Sequence, residues 1–233
     1  MLDHPVSERT SSRATLASVK PRVLTAKPRV SGFRFYGVGK RLIDLALVAV
    51  GGPFFLPLIM ILVVLIRLDG GPALYLQPRI GKNGRIFRLW KLRTMVPNAE
   101  AALASYLDSN PGARAEWDSA QKLRNDPRLT FIGGFLRRYS LDELPQLWNV
   151  LIGDMSLVGP RPMMPSQRLL YPGTAYYDLR PGLTGLWQIS ERNNCNFAER
   201  AAYDNRYAQT VSIGVDCAIL WKTVDVVFRG TGC

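Results

Sequence analysis

The sequence predicts an α+β protein: a mainly helical, membrane-associated domain with a small β-hairpin or sheet, entered through an N-terminal re-entrant membrane helix. Three observations predict it. Leu45–Ile66 is a run of 22 residues without a charge, and basic residues flank it on both sides. Two β-like runs, Ala73–Leu76 and Ile86–Leu92, bracket an Asn83-Gly84 turn signal. From residue 99 to residue 228, segments of helical period alternate with breaks rich in Pro, Gly and Asn.

The 233 residues suffice for one domain with a real core, and their formal net charge is +12. Residues 1–41 hold nine Lys or Arg against Asp3 and Glu8, a net of +7. Within them, residues 1–32 are rich in Ser, Thr, Pro and basic residues and show no period. They read as a disordered, basic cytoplasmic arm. Such charge suits nucleic acid as well as anionic lipid. The apolar run beside it favours lipid, so a membrane partner and no nucleic acid is expected.

Residues 33–68 form the membrane element. Leu45–Ile66 is long enough to cross a bilayer. It is too long, and begins too far along the chain, for an ordinary cleaved signal peptide. Gly52, Pro53 and Pro57 interrupt its middle. Pro53 has no N–H for the carbonyl of Ala49, and Pro57 has none for that of Pro53. The freed carbonyls predict a sharp bend. Arg34, Lys40 and Arg41 precede the run; Arg67, Arg79, Lys82, Arg85, Arg88, Lys91 and Arg93 follow it, opposed by Asp69. Lys and Arg mark the cytoplasmic side. A re-entrant helix keeps both flanks there. A single-pass anchor with a central kink is the plainer alternative.

Residues 69–233 read as a cytoplasmic domain with interfacial helices. In the second strand, alternation places Lys91 and Arg93 on one face, as a solvated edge or as a seat for diphosphate. Helices are expected over Ala99–Asp108, Ala113–Leu123 and Phe131–Arg138, the last ending in Arg137-Arg138. Those arginines either pair with nearby carboxylates or hold a phosphate. Ser140-x-x-Glu143 matches a capping box for a helix over Leu141–Leu151. Asp142 and Glu143 would then be ionised at a positive helix end. They are either a cap or a pair able to bind a hard cation or attack phosphorus. Gly159-Pro160-Arg161-Pro162 is a rigid loop that fixes the start of Arg161, whose planar guanidinium suits phosphate oxygens. Arg180–Gly185 is a second turn-rich loop, and Leu186–Ile189 a short strand. Helices follow over Phe197–Gln209, carrying Asp204 and Tyr207, and over Ile213–Phe228. Trp221, Lys222, Phe228 and Arg229 on the last suit a membrane interface, though core burial explains its apolar part equally well.

What is missing narrows the chemistry. The one histidine, His4, lies in the polar arm, which disfavours a Ser-His-Asp or Cys-His site. Cys195, Cys217 and Cys233 show no CxxC spacing, so zinc is disfavoured, and unpaired cysteines fit a reducing compartment. Neither a G-x-x-x-x-G-K-[ST] loop nor a G-x-G-x-x-G fingerprint is present. Catalysis, if any, leans on carboxylates, basic residues and Mg²⁺.

Several blocks in one order carry a resemblance: the basic-flanked, proline-interrupted helix, Trp90–Met95, Ser140–Leu147, Gly153–Pro162 and Arg180–Gly185. From about Val38 to Phe228 the chain resembles the bacterial sugar transferases, the monotopic phosphoglycosyl transferases, above all the exopolysaccharide-initiating members that transfer galactose-1-phosphate or glucose-1-phosphate. The resemblance implies transfer of a hexose-1-phosphate from a UDP-hexose to undecaprenyl phosphate, with release of UMP, at the bacterial inner membrane. It implies Mg²⁺, Asp142 as nucleophile, Glu143 as its companion at the metal, and substrate binding by Lys91, Arg93, Arg137, Arg161 and Asp204. The family helix usually bends at Ser-Pro, whereas this chain has Gly52-Pro53, and glycine offers no hydroxyl to a freed carbonyl. A membrane-anchored binding protein, with the acid pair only a cap, is the rival reading. It predicts no metal dependence. The transferred hexose and a possible homo-oligomer are left open by the residues.

Overall fold

In the computed structural model, residues 33–120, 123, 125–190 and 197–230 are described. The basic arm expected over residues 1–32 lies outside them.

Helix α1 spans Phe33–Arg67 and runs unbroken through Gly52, Pro53 and Pro57. By length and composition it could cross a membrane. Its two ends are both fastened to the rest of the protein. Near the start, Lys40 pairs with Asp216, and Arg41 donates to the carbonyls of Val150 and Leu151. One turn on, the buried Asp44 accepts from Ser156 Oγ at 2.7 Å and from Leu157 N–H at 3.1 Å. Near the other end, Leu62 and Ile66 pack with Ala73, Leu92 and Leu136. Asp44 and Leu62 lie about 27 Å apart along a straight axis at 1.5 Å per residue, yet both rest on one domain. Between them Val50, Phe54, Leu56 and Met60 are exposed.

Strands β1 (Leu74–Ile80) and β2 (Ile86–Leu92) form the expected antiparallel hairpin, with Leu74 opposite Leu92 and Ile80 opposite Ile86. Asn83 (φ 57°) and Gly84 (φ 76°) make the turn in the left-handed region, which these two residue types tolerate best. The first strand is longer than expected because its ladder with β2 runs on through Gln77, Pro78, Arg79 and Ile80, and Ile80 also bridges to Met163. Helices α2 (Ala99–Ser109), α3 (Pro111–Ala120) and α4 (Phe131–Arg138) follow. Thr130 caps α4 by accepting from Gly133 N–H at 2.9 Å.

The expected helix over Leu141–Leu151 is corrected. Leu141–Glu143 is a 3₁₀ turn, and α5 covers only Gln146–Ile152, after Pro145. The capping box does not form, because Ser140 sits at φ 55° and its side chain caps nothing. Strand β3 (Ser156–Val158) and helix α6 (Ala175–Asp178) come next. Strand β4 is Gly182–Thr184, parallel to β3; Leu186–Ile189, expected as a strand, is a turn. There the chain leaves β3, and Ile189 N–H turns back to the carbonyl of Gly185. Helices α7 (Arg200–Thr210) and α8 (Ile213–Phe228) close the fold. One core packs β2, α5, β3, α7 and α8 through Leu89, Val150, Met155, Val158, Tyr207 and Ile219.

Asp44→Ala should lower thermal stability, because Ser156 Oγ and Leu157 N–H lose their acceptor in a buried place. A loss of about 1–3 kcal/mol is expected, read as a lower unfolding midpoint of the lipid-embedded protein, with Asp44→Asn losing less.

Candidate active site

Strand β2 and helix α5 are joined by one amide. Asn149 Oδ1 accepts from Trp90 N–H at 3.0 Å, and Asn149 Nδ2 donates to Arg88 O at 2.8 Å. The side chain thereby takes the place of a neighbouring strand along β2. This seats the turn before α5 over the strand's exit. Lys91 Nζ then lies 2.9 Å from Glu143 Oε1 and 3.4 Å from Asp142 Oδ2. Arg161 Nη2 approaches Glu143 Oε1 at 3.6 Å. Arg137 donates from Nε to Thr94 Oγ1 at 2.9 Å.

Asp142 is 6% exposed. Burial pushes its carboxyl above the ordinary Asp range; Lys91 opposes that, and the adjacent Glu143 adds to it. The helix end expected to favour the ionised acid is a three-residue 3₁₀ turn, which supplies little dipole, so the charge of Asp142 is met by Lys91 and Arg137 against the cost of desolvation.

The loop bearing Arg161 is held from three sides. Gly159 N–H donates to Thr184 O and Gly182 N–H donates to Pro160 O, both at 2.8 Å. A β-carbon on Gly159, Gly182 or Gly185 would collide with the facing backbone, so the two turn-rich loops can lie back to back only as glycines. Arg79 Nη1 donates to Pro162 O at 3.0 Å, and Arg200 Nη2 to Arg161 O at 2.6 Å. Arg200 stacks on Trp187 and Phe197, with Arg161 over the other reach of Trp187. Burial, then the neighbouring Arg161, lowers Arg79 to about 10; burial likewise lowers Arg200 and Arg137.

A cavity of about 1250 Å³ opens over these groups. Of the residues singled out in the sequence, it brings together Asp142, Glu143, Lys91, Arg93, Arg137 and Arg161. Arg93 reaches the wall but is engaged elsewhere. It donates to Ile66 O at 3.1 Å and pairs with Asp69, and so caps the end of α1. Its Nε and Nη1 have no hydrogen-bond partner among the described residues, so Arg93 shares the cavity with Lys91 while its Nη2 is held by the end of α1. Asp204 does not line the cavity. It is buried behind the Arg161 loop, where Tyr171 Oη donates to it at 2.7 Å. Burial raises its carboxyl to about 6.

Sequence reasoning missed Arg79, Arg200 and Asn149. Arg79 was visible only as flanking charge. Arg200 and Asn149 belong to no motif, and only the fold shows what they touch.

The chain matches the model of the family described as bacterial sugar transferase over residues 35–230. It belongs to that family. It is 43% identical over 199 residues to the exopolysaccharide production protein ExoY of Rhizobium meliloti, covering 84% of this chain and 88% of the relative. It is 47% identical over 178 residues to an undecaprenyl-phosphate galactose phosphotransferase of Salmonella typhimurium, covering 76% of this chain and 37% of the relative. A UDP-glucose:undecaprenyl-phosphate glucose-1-phosphate transferase of Caulobacter vibrioides is 37% identical over 233 residues, covering 95% and 79%. The chain spans about two-fifths of the length of several of the curated relatives it matches.

Asp204 sets a pH dependence for the family fold in this chain. Its folded value, about 6, lies above the ordinary 3.8. The folded state therefore binds its proton more tightly than the unfolded chain. That contribution is fully present below the ordinary value and is lost as pH rises through about 6. Relative to Asp204→Asn, the wild-type unfolding midpoint should fall as pH is raised across that window; parallel profiles would contradict the shift.

Proposed function

We propose that this bacterial sugar transferase moves a hexose-1-phosphate from a UDP-hexose to undecaprenyl phosphate, releasing UMP, in the first membrane step of exopolysaccharide synthesis. One observation carries the reading: a buried carboxylate, Asp142, faces a cavity whose walls include Arg79, Lys91, Arg137 and Arg161. Such a wall suits a diphosphate, whose charge must be offset for phosphoryl transfer. The printed functions of the Salmonella and Caulobacter relatives supply the donor and acceptor classes.

The mechanism follows from the groups present. An Asp142 carboxylate oxygen attacks the phosphorus that bears the sugar. The bond from that phosphorus to the UMP oxygen breaks, and UMP leaves with the electron pair. Lys91, Arg137 and Arg161 hold the oxygens on which charge gathers. A phosphate oxygen of the polyprenyl acceptor then attacks the aspartyl-phosphosugar, and the Asp142 carboxylate is restored. The raised carboxyl of Asp142 makes a stronger base and nucleophile once it is ionised, and sets an acid limb above that of an ordinary Asp.

Asp142 and Glu143 are adjacent carboxylates on one cavity wall, and among the described residues no group of three or more His, Cys, Asp or Glu could hold a metal ion. That donor set fits Mg²⁺, which takes one or two carboxylates and fills its shell with water and substrate phosphate. These two residues would hold it, and when bound it would offset diphosphate charge.

The membrane helix is read as re-entrant. Both its ends are tied to one domain while its apolar middle is exposed, which supports a dip into the cytoplasmic leaflet with the catalytic domain in the cytoplasm. In a cysteine-free background, Lys20→Cys and Asn110→Cys should both be shielded from an impermeant thiol reagent in intact cells. Labelling at position 20 alone would establish a full span.

Asp142→Asn should retain the fold while turnover drops at least about a thousandfold. With donor alone, mass spectrometry should find a hexose-phosphate adduct on the wild type and none on the variant. Continued UMP release by the variant would remove Asp142 from the nucleophile's role.

A further inference from the structure

The cavity over Asp142 has two kinds of wall. The cations described above occupy one. The other is hydrocarbon, and much of it comes from a single face of α8: Leu220, Thr223, Val224, Val227 and Phe228. These positions fall at i, i+3, i+4, i+7 and i+8, one continuous helical stripe about 12 Å long at 1.5 Å per residue. Its one hydroxyl is already engaged: Thr223 Oγ1 donates to Ile219 O and accepts from Thr184 Oγ1, each at 2.7 Å. The stripe therefore presents methyl groups and a ring to the cavity. Lys222 and Asp225 lie on other faces of α8, the latter paired with Arg229 at 2.9 Å, and Asp216, one turn before the stripe, does not line the cavity and is paired with Lys40. Phe55 of α1 faces the same space.

Among the described residues nothing covers the outer part of this wall. Val224 is 50% exposed and Phe228 80%, although both line the cavity. A nucleotide sugar has no hydrocarbon to offer it. A phosphate carrying a long hydrocarbon chain matches both walls at once. Phe55, itself 38% exposed, brings the middle of α1 to the edge of this apolar wall.

We propose that the α8 stripe seats the first isoprene units of the polyprenyl acceptor, and that the chain enters the cavity between α8 and the middle of α1. The proposal rests on the acceptor assigned above. The acceptor's phosphate is then delivered to the cationic wall at Asp142 by a tail that lies along α8, and α8 selects for an acceptor with a tail.

The test uses the full chain in lipid nanodiscs and the double variant Val224→Asn, Phe228→Asn, which is uncharged and leaves the field at Asp142 alone. Trp221→Asn, on the outer side of α8 and off the cavity, is the control. Three quantities are measured: the single-turnover release of UMP without acceptor, KM for undecaprenyl phosphate, and the rate with dimethylallyl phosphate, which has a single isoprene unit. For the double variant we expect unchanged UMP release, a KM for undecaprenyl phosphate raised about tenfold or more, and little change with the short acceptor. Trp221→Asn should match wild type in all three. An unchanged KM for undecaprenyl phosphate overturns the proposal. So does an equal loss with the short acceptor, which would make the stripe structural, or an equal loss in Trp221→Asn, which would assign it to the bilayer surface. Failure of the wild type to release UMP would instead reject the functional reading itself.

Discussion

Two carboxylates side by side out of water need a cation, and Lys91 is the cation that reaches both. Everything near the cavity follows from that need. Asp142 and Glu143 sit on a short turn with no strong helix dipole behind it, so their charge must be met by side chains. Lys91 meets it from the exit of β2, Arg161 from the loop after β3, and Arg137 acts on Asp142 from the end of α4. Three separate elements must therefore be in register to within an ångström or so. The Asn149 amide does this for α5 and β2 with two hydrogen bonds to backbone.

The second constraint is an excess of positive charge. Arg79 and Arg161 crowd the cavity wall with Arg200 behind them, and burial together with mutual repulsion lowers Arg79 and Arg200. Such a cluster is costly in an empty site, and its cost becomes useful when an anion arrives. Part of the cost is offset by aromatic faces, since Arg200 lies over Trp187 and Phe197. Asp204 offsets another part from behind, without touching the cavity.

Much of this was legible in the residues. The hairpin could be read from Asn83-Gly84, because few residues accept a left-handed turn. The Asp142, Glu143 and Arg161 site could be read from acid and guanidinium chemistry together with the rigid prolines. The helix around the acid pair was misread because Ser140-x-x-Glu143 is a local pattern, whereas Ser140 takes a positive φ and its carbonyl, not its hydroxyl, accepts from Glu143 N–H to close a 3₁₀ turn. For Arg93, alternation gives its face but not its partner: the end of α1, which lies 27 residues earlier, takes its Nη2. Asp204 was assigned to substrate because it stands in a motif, while its hydroxyl partner, Tyr171, lies 33 residues away and carries no signal of its own.

The foot of α1 has a consequence for how the protein is made. Lys40, Arg41 and Asp44 bond to residues 176, 109 and 112 positions later in the chain. Helix α1 emerges from the ribosome before the elements it binds and can enter the bilayer at once. Its charged turn must then wait, unpaired, until α5, β3 and finally α8 have been synthesised. Contacts of such separation form late and slowly. The membrane thus holds one end of a long loop fixed while the other end is still being built, and the catalytic domain folds against an anchor that is already in place.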